Sequence, residues 1–168
     1  VLSWGEFQQK KPTEKELEKW FRDTNNNIGI VTGKLSGIVV VDIDTDEAAI
    51  FAKENLPETR RVKTGKGIHL YYKYPQGGEI RNFQRRDDLP GIDLRADGGY
   101  VVAPPSIHES GDEYCWVNPG QPLADFPQDI FPLERQRKTQ LKELYKGVEE
   151  GERNNTMVRL IGSFIKDG

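Results

Sequence analysis

The chain has 168 residues, enough for one well-buried domain with a small appendage. Its composition is 35% hydrophobic and 30% charged, and no apolar run reaches membrane-spanning length, which excludes a helical membrane protein. A net charge of −3 argues against a general nucleic-acid binder, and the single cysteine, Cys115, excludes an internal disulfide and a cysteine zinc cluster.

Lone-cysteine usage fits a reducing compartment, so a cytoplasmic location is expected. No signal-peptide pattern is present, and a start at Val1 in place of Met reads as a piece of a longer protein. Charge is unevenly spread. Residues 60–95 hold nine basic and four acidic side chains, while the flanking stretches are acidic. A basic segment of this kind suits a polyanionic ligand.

In chain order, Thr13 and Glu16 form a capping box that opens a helix with Leu17, Trp20 and Phe21 as its apolar face. Asn25–Asn27 is a turn, and Ile28–Val31 a short strand. A tight connection over 32–37 leads into Ile38-Val39-Val40-Val41-Asp42-Ile43-Asp44, a run of branched residues that predicts a strand buried on both faces. A helix over 46–55 follows, capped by Thr45 or Asp46, with Ala49, Ile50 and Phe51 toward the core. Strands at 61–63 and 68–74 are joined by Thr64-Gly65-Lys66-Gly67. Strands at 91–94 and 100–103 read as a hairpin through Ala96-Asp97-Gly98-Gly99. Pro104-Pro105 ends the second strand, residues 114–117 form another, and 119–132 reads as irregular wrapping. Residues 133–145 are helical and charged, and Asn155 or Thr156 caps a last helix through Ile165.

Side chains alternate along a strand, so Asp42 and Asp44 point the same way. Two adjacent carboxylates at the mouth of a core repel each other and lose solvation, and a divalent cation relieves both costs. Oxygen ligands suit magnesium or manganese, metals that commonly serve phosphate chemistry. Asp93, inside an apolar strand and followed on the same face by Arg95, offers a third acid for a two-metal site. The Thr64–Gly67 turn with His69 reads as a phosphate-binding turn in which glycine lets the backbone approach an anion and Lys66 adds charge. It is not a P-loop, whose glycine spacing and Ser or Thr after the Lys are lacking. The two prolines would hold Ser106 at the edge of a cleft.

The order of these motifs resembles the primase–polymerase branch of the archaeo-eukaryotic primase superfamily. The similarity rests on Val40 to Asp44, Thr64 to His69, Gly91 to Ser106 and Gly111 to Trp116, with Ser3-Trp4, Asn27 to Ile30 and Thr32-Gly33 upstream. The resemblance implies an α+β catalytic core, an α/β unit joined to an RRM-like sheet, over residues 1–132. Residues 133–168 would then be a helical linker and the start of a helical primase module, since Gly151 to Met157 resembles its GxRNxxL opening. It implies that Asp42, Asp44 and Asp93 bind two Mg2+ or Mn2+ ions and are catalytic. Thr64, Lys66, Gly67, His69, Arg95 and Ser106 would bind the nucleotide. The implied partners are nucleoside triphosphates, single-stranded or primed DNA, and a helicase or another replication or defence protein, with no membrane. Basic residues between Arg81 and Arg86 are candidates for tracking the template. Two features depart from the family pattern. The second motif carries Thr64 and Lys66 where many relatives are Ser-rich, and the helix and strand that usually precede the Trp4 region are missing.

Other classes share single features. A GT-A glycosyltransferase also places D-x-D after an apolar strand, but it calls for neither Asp93 nor the glycine–histidine turn. A haloacid-dehalogenase-type phosphatase needs Thr or Val where Asp46 stands. A non-catalytic RRM-like module would show exposed aromatics on its sheet and leave the acids unexplained.

Overall fold

A computed structural model describes residues 3–132. The chain divides into two units, Val1–Pro127 and Gln128–Gly168. The expected helices beyond residue 132 lie outside the described residues. In the first unit a 3-10 turn, Gly5–Gln8, precedes helix α1, Glu14–Phe21. The expected capping box is present: Glu16 N donates to Thr13 Oγ1, and Thr13 N donates to the Glu16 carboxylate at 2.8 Å. Eight strands and a second helix follow. They are β1 (Ile28–Val31), β2 (Ile38–Ile43), α2 (Asp46–Asn55), β3 (Arg60–Lys63), β4 (Ile68–Lys73), β5 (Ile92–Arg95), β6 (Tyr100–Ala103), β7 (Cys115–Trp116) and β8 (Ala124–Asp125).

Six strands form one sheet in the order β5-β2-β4-β3-β7, with β8 parallel to β4 and every other pairing antiparallel. The strand that ends in the aspartates is therefore central. Val39, Val40 and Val41 are fully buried, as a run of branched residues requires. Each such side chain contributes about 1.5–3 kcal/mol on burial. On one face, Ile43, Ile68 and Leu70 lie under α2 and line a groove with Ala49, Ala52 and Leu56. On the other, Val40, Val62 and Tyr71 form a core with Val101 of β6 and Ile30 of β1.

Three expectations change. Strands β5 and β6 do not form a hairpin. Strand β5 pairs with β2, whereas β6 pairs with β1 in a separate two-stranded sheet. The intervening Asp97 explains the divergence, because it ties the segment to three other places. Lys34 N donates to its Oδ1 at 3.0 Å, and Tyr74 Oη and Ile80 N donate to its Oδ2 at 2.6 and 3.2 Å. On α2 the buried residues are Ala48 and Ala52, while Ile50 is 60% exposed. The helix thus turns its small side chains to the sheet, allowing close approach. The stretch after Pro119 is not wholly irregular, since β8 extends the β4 edge beyond β3.

The β3–β4 turn is packed against the end of β2. A methyl at Gly67 would collide with the Ile43 carbonyl oxygen, a backbone atom fixed in the sheet. Gly67→Ala is expected to cost about 1–3 kcal/mol of stability, measured by urea denaturation. An unchanged midpoint would contradict this packing.

Candidate active site

Antiparallel register builds the site. Asp42 on β2 stands directly opposite His69 on β4 and directly opposite Asp93 on β5. Alternation puts all three side chains on the face away from α2. Asp44 lies one residue beyond β2, where its backbone N donates to Gly91 O at 3.0 Å. One carboxylate oxygen from each of Asp42, Asp44 and Asp93 falls within 4.8 Å of the others. The side chains of Asp42 and Asp93 are only 15% and 17% exposed, so water screens their repulsion weakly. The Asp44 carboxyl is pushed above its ordinary range, first by burial, then by the charges of Asp42 and Asp93. Lys66 and His69 oppose that shift.

Positive and polar groups partly offset the charge. His69 Nε2 lies 3.4 Å from Asp42 Oδ1. Arg95 Nη2 lies 3.1 Å from Asp93 Oδ2 and 3.8 Å from Asp42 Oδ2. The backbone N of Arg85 donates to Asp93 Oδ1 at 3.0 Å, and Arg85 adopts a φ of +52° there. His69 is 6% exposed, and its Nδ1 has no protein partner among the described residues. A buried polar atom left in this way costs about 1–3 kcal/mol unless a bound molecule completes it.

A cleft of about 580 Å3 opens beside this cluster, reaching Asp42 but not lined by Asp44 or Asp93. Asp42, His69 and Arg95 lie along one part of its lining, and Trp4, Tyr100 and Tyr114 supply aromatic surface. The Trp4 and Tyr100 rings are 4.8 Å apart. The volume falls in the range of small-ligand sites, and polar groups beside aromatic surface can orient a ligand with a charged end and a flat end.

The other expected site residues are placed differently. Thr64 is buried, and its Oγ1 accepts from Gly67 N at 2.9 Å and from Lys66 N at 3.2 Å. Two turn amides are thus satisfied inside the turn, and Thr64 shapes it. Thr64, Lys66 and Gly67 do not line the cleft, although the turn ends beside Asp44. Ser106 is not at the cleft edge. It is 3% exposed, and its Oγ accepts from Ile28 N at 2.8 Å, joining the end of β6 to β1. Of the basic 81–86 stretch, Arg86 lies over the Phe83 ring at 4.9 Å and pairs with Asp88. The sequence reading missed the aromatic wall. Its members, Trp4, Tyr100 and Tyr114, are far apart in the chain and share no local signal.

The family model for the bifunctional DNA primase/polymerase N-terminal domain matches residues 2–129. The chain belongs to this family. Among curated proteins none matches it significantly. Membership makes this primase/polymerase domain a nucleotidyltransferase-type, metal-dependent enzyme, with DNA and nucleotides as the substrates of its family. Its three carboxylates fit that dependence, since they offer only hard oxygen donors and their repulsion is relieved by a cation. No helix among the described residues is long and apolar enough to cross a membrane.

Asp44→Asn removes one member of the repelling cluster. At neutral pH the variant is expected to melt higher than the parent in metal-free buffer and to gain less on adding Mn2+. The parent's stability should also fall as pH rises through the raised Asp44 value, because the folded state holds that proton more tightly than the unfolded state. The variant should lack this fall. Thermal melts across pH, with and without Mn2+, check both statements.

Proposed function

We propose that this domain carries out template-directed nucleotidyl transfer. It would add nucleoside triphosphates to a primer, or start one, on single-stranded or primed DNA, using two Mg2+ or Mn2+ ions. The observation that supports this most is the convergence of Asp42, Asp44 and Asp93 from β2, its end and β5. When bound, a divalent pair activates the primer 3′-hydroxyl and neutralises the leaving pyrophosphate.

The chain's own groups divide the remaining work. Asp42, Asp44 and Asp93 would hold the ions. His69, beside Asp42, would donate to a phosphate oxygen of the incoming nucleotide. Arg95 orients Asp93 and Asp42 and adds a positive charge to the cleft wall. Lys66 brings charge to the Asp44 side. Such fixed charges act where negative charge develops and need little reorganisation. Thr64 and Gly67 act through the shape of the turn. We read the sheet under α2 as the RRM-like part of the core and residues 1–132 as the catalytic domain. A GT-A glycosyltransferase gives no task to Asp93 or His69, and a non-catalytic RRM-like module gives none to the acids.

Asp42→Ala and Asp93→Ala are each expected to lower metal-dependent incorporation of labelled nucleotide on a primed template by about 100-fold or more, with the fold retained. Normal incorporation by Asp93→Ala would remove the third acid from the site. His69→Ala is expected to weaken triphosphate binding more than template binding when each is titrated separately. Equal weakening of both would leave His69 a packing role.

A further inference from the structure

The sequence contains two histidines, and the fold brings both to the neighbourhood of one turn. His69 is the second residue of β4, the strand that leaves the Thr64–Gly67 turn. His108 arrives from the loop after β6, which is closed on itself by the Ile107–Glu113 bridge. The Tyr114 ring lies 6.1 Å from His69 and 6.2 Å from His108, so the three rings form a row.

His108 is seated on the turn. A Cβ at Gly65 would lie 2.5 Å from His108 Cγ and 2.6 Å from its Nδ1, so glycine is the residue that lets the imidazole pack there. The ring is also oriented. Ser110 N and Ser110 Oγ lie 3.1 and 2.8 Å from His108 Nδ1. Ser110 Oγ in turn donates to Asp112 Oδ2 at 2.7 Å. The loop backbone supports this arrangement, because His108 N donates to Asp112 O at 2.8 Å. With Nδ1 engaged, Nε2 is the remaining polar atom of the ring, and it has no protein partner among the described residues. An imidazole fixed at one nitrogen and open at the other is suited to donating to an anion.

We propose that His108 is a second phosphate-contacting histidine of the nucleotide site, reaching the distal phosphates of a bound nucleoside triphosphate across the Thr64–Gly67 turn. The inference rests on the nucleotidyl-transfer reading. It assigns to the turn a role that its own amides, partly satisfied by Thr64, do not fill: carrying His108 and Lys66 at the triphosphate end. Ser110 and Asp112 are positioning residues for the ring.

The test titrates the 168-residue chain, with Mn2+ present, with ATP or dATP, whichever binds more tightly, and with the matching diphosphate and monophosphate. His108→Gln is expected to weaken triphosphate binding about tenfold, the loss of one hydrogen bond to a charged group, and to leave monophosphate binding unchanged. Asp112→Asn, on an exposed side chain away from the turn, should shift the same ratio in the same direction by less. It also serves as the second variant should His108→Gln lose its thermal transition. Uniform weakening of all three nucleotides, or no weakening, overturns the role of His108. An unchanged ratio in Asp112→Asn overturns the positioning role of Asp112. A parent chain that holds triphosphate no more tightly than monophosphate overturns this inference and the nucleotidyl-transfer reading together.

Discussion

The mutual repulsion of Asp42, Asp44 and Asp93 is the constraint around which the rest of the structure is arranged. Their oxygens lie within 4.8 Å of one another, at the end of a strand whose preceding residues are fully buried. Like charges that side-chain freedom lets separate on a surface cost little; like charges fixed on paired backbone cannot move away. The rigidity comes from β2, which has ladder partners on both sides. Its valines anchor it between α2 and the β1–β6 sheet. The fold therefore holds a costly feature in place with its best-packed element, an arrangement typical of functional sites.

The surrounding groups temper that cost without cancelling it. Arg95 bridges Asp93 and Asp42, His69 stands beside Asp42, and the Arg85 amide caps Asp93. Yet the Asp44 carboxyl remains shifted upward, first by burial and then by the charges of Asp42 and Asp93, which outweigh those of Lys66 and His69. Such a site attracts cations, and the cations in turn attract phosphate. The basic and imidazole groups sit beside the acids and do not replace them, which lets a metal and a polyanion bind together.

Much of this was legible in the sequence, for identifiable reasons. The branched run of β2, the capping box of α1 and the Thr45 cap of α2 are local signals, and each forms where expected. The alternation of Asp42 with Asp44, and of Asp93 with Arg95, gave the shared faces. What the sequence could not show was which strands pair. Strands β5 and β6 looked like a hairpin, but Asp97 binds Lys34, Tyr74 and Ile80 and sends them to different sheets. The same long-range pairing decides that Asp93 faces Asp42. Thr64 opens one motif and Ser106 closes another, and the family resemblance implies nucleotide contacts for both, yet both spend their hydroxyls inside the fold. The cleft's aromatic wall joins Trp4, Tyr100 and Tyr114, residues far apart in the chain, so no local pattern announced it.

The most direct test of the central claim is a count of bound ions. Mn2+ would be titrated into the chain by electron paramagnetic resonance, alone and with a saturating nucleoside triphosphate. If the carboxylates form a two-metal site, the triphosphate should raise the stoichiometry to two ions per chain, and Asp42→Asn should abolish that tight binding. Tight Mn2+ binding that persists in Asp42→Asn, or no tight binding in the parent chain with triphosphate present, would contradict it.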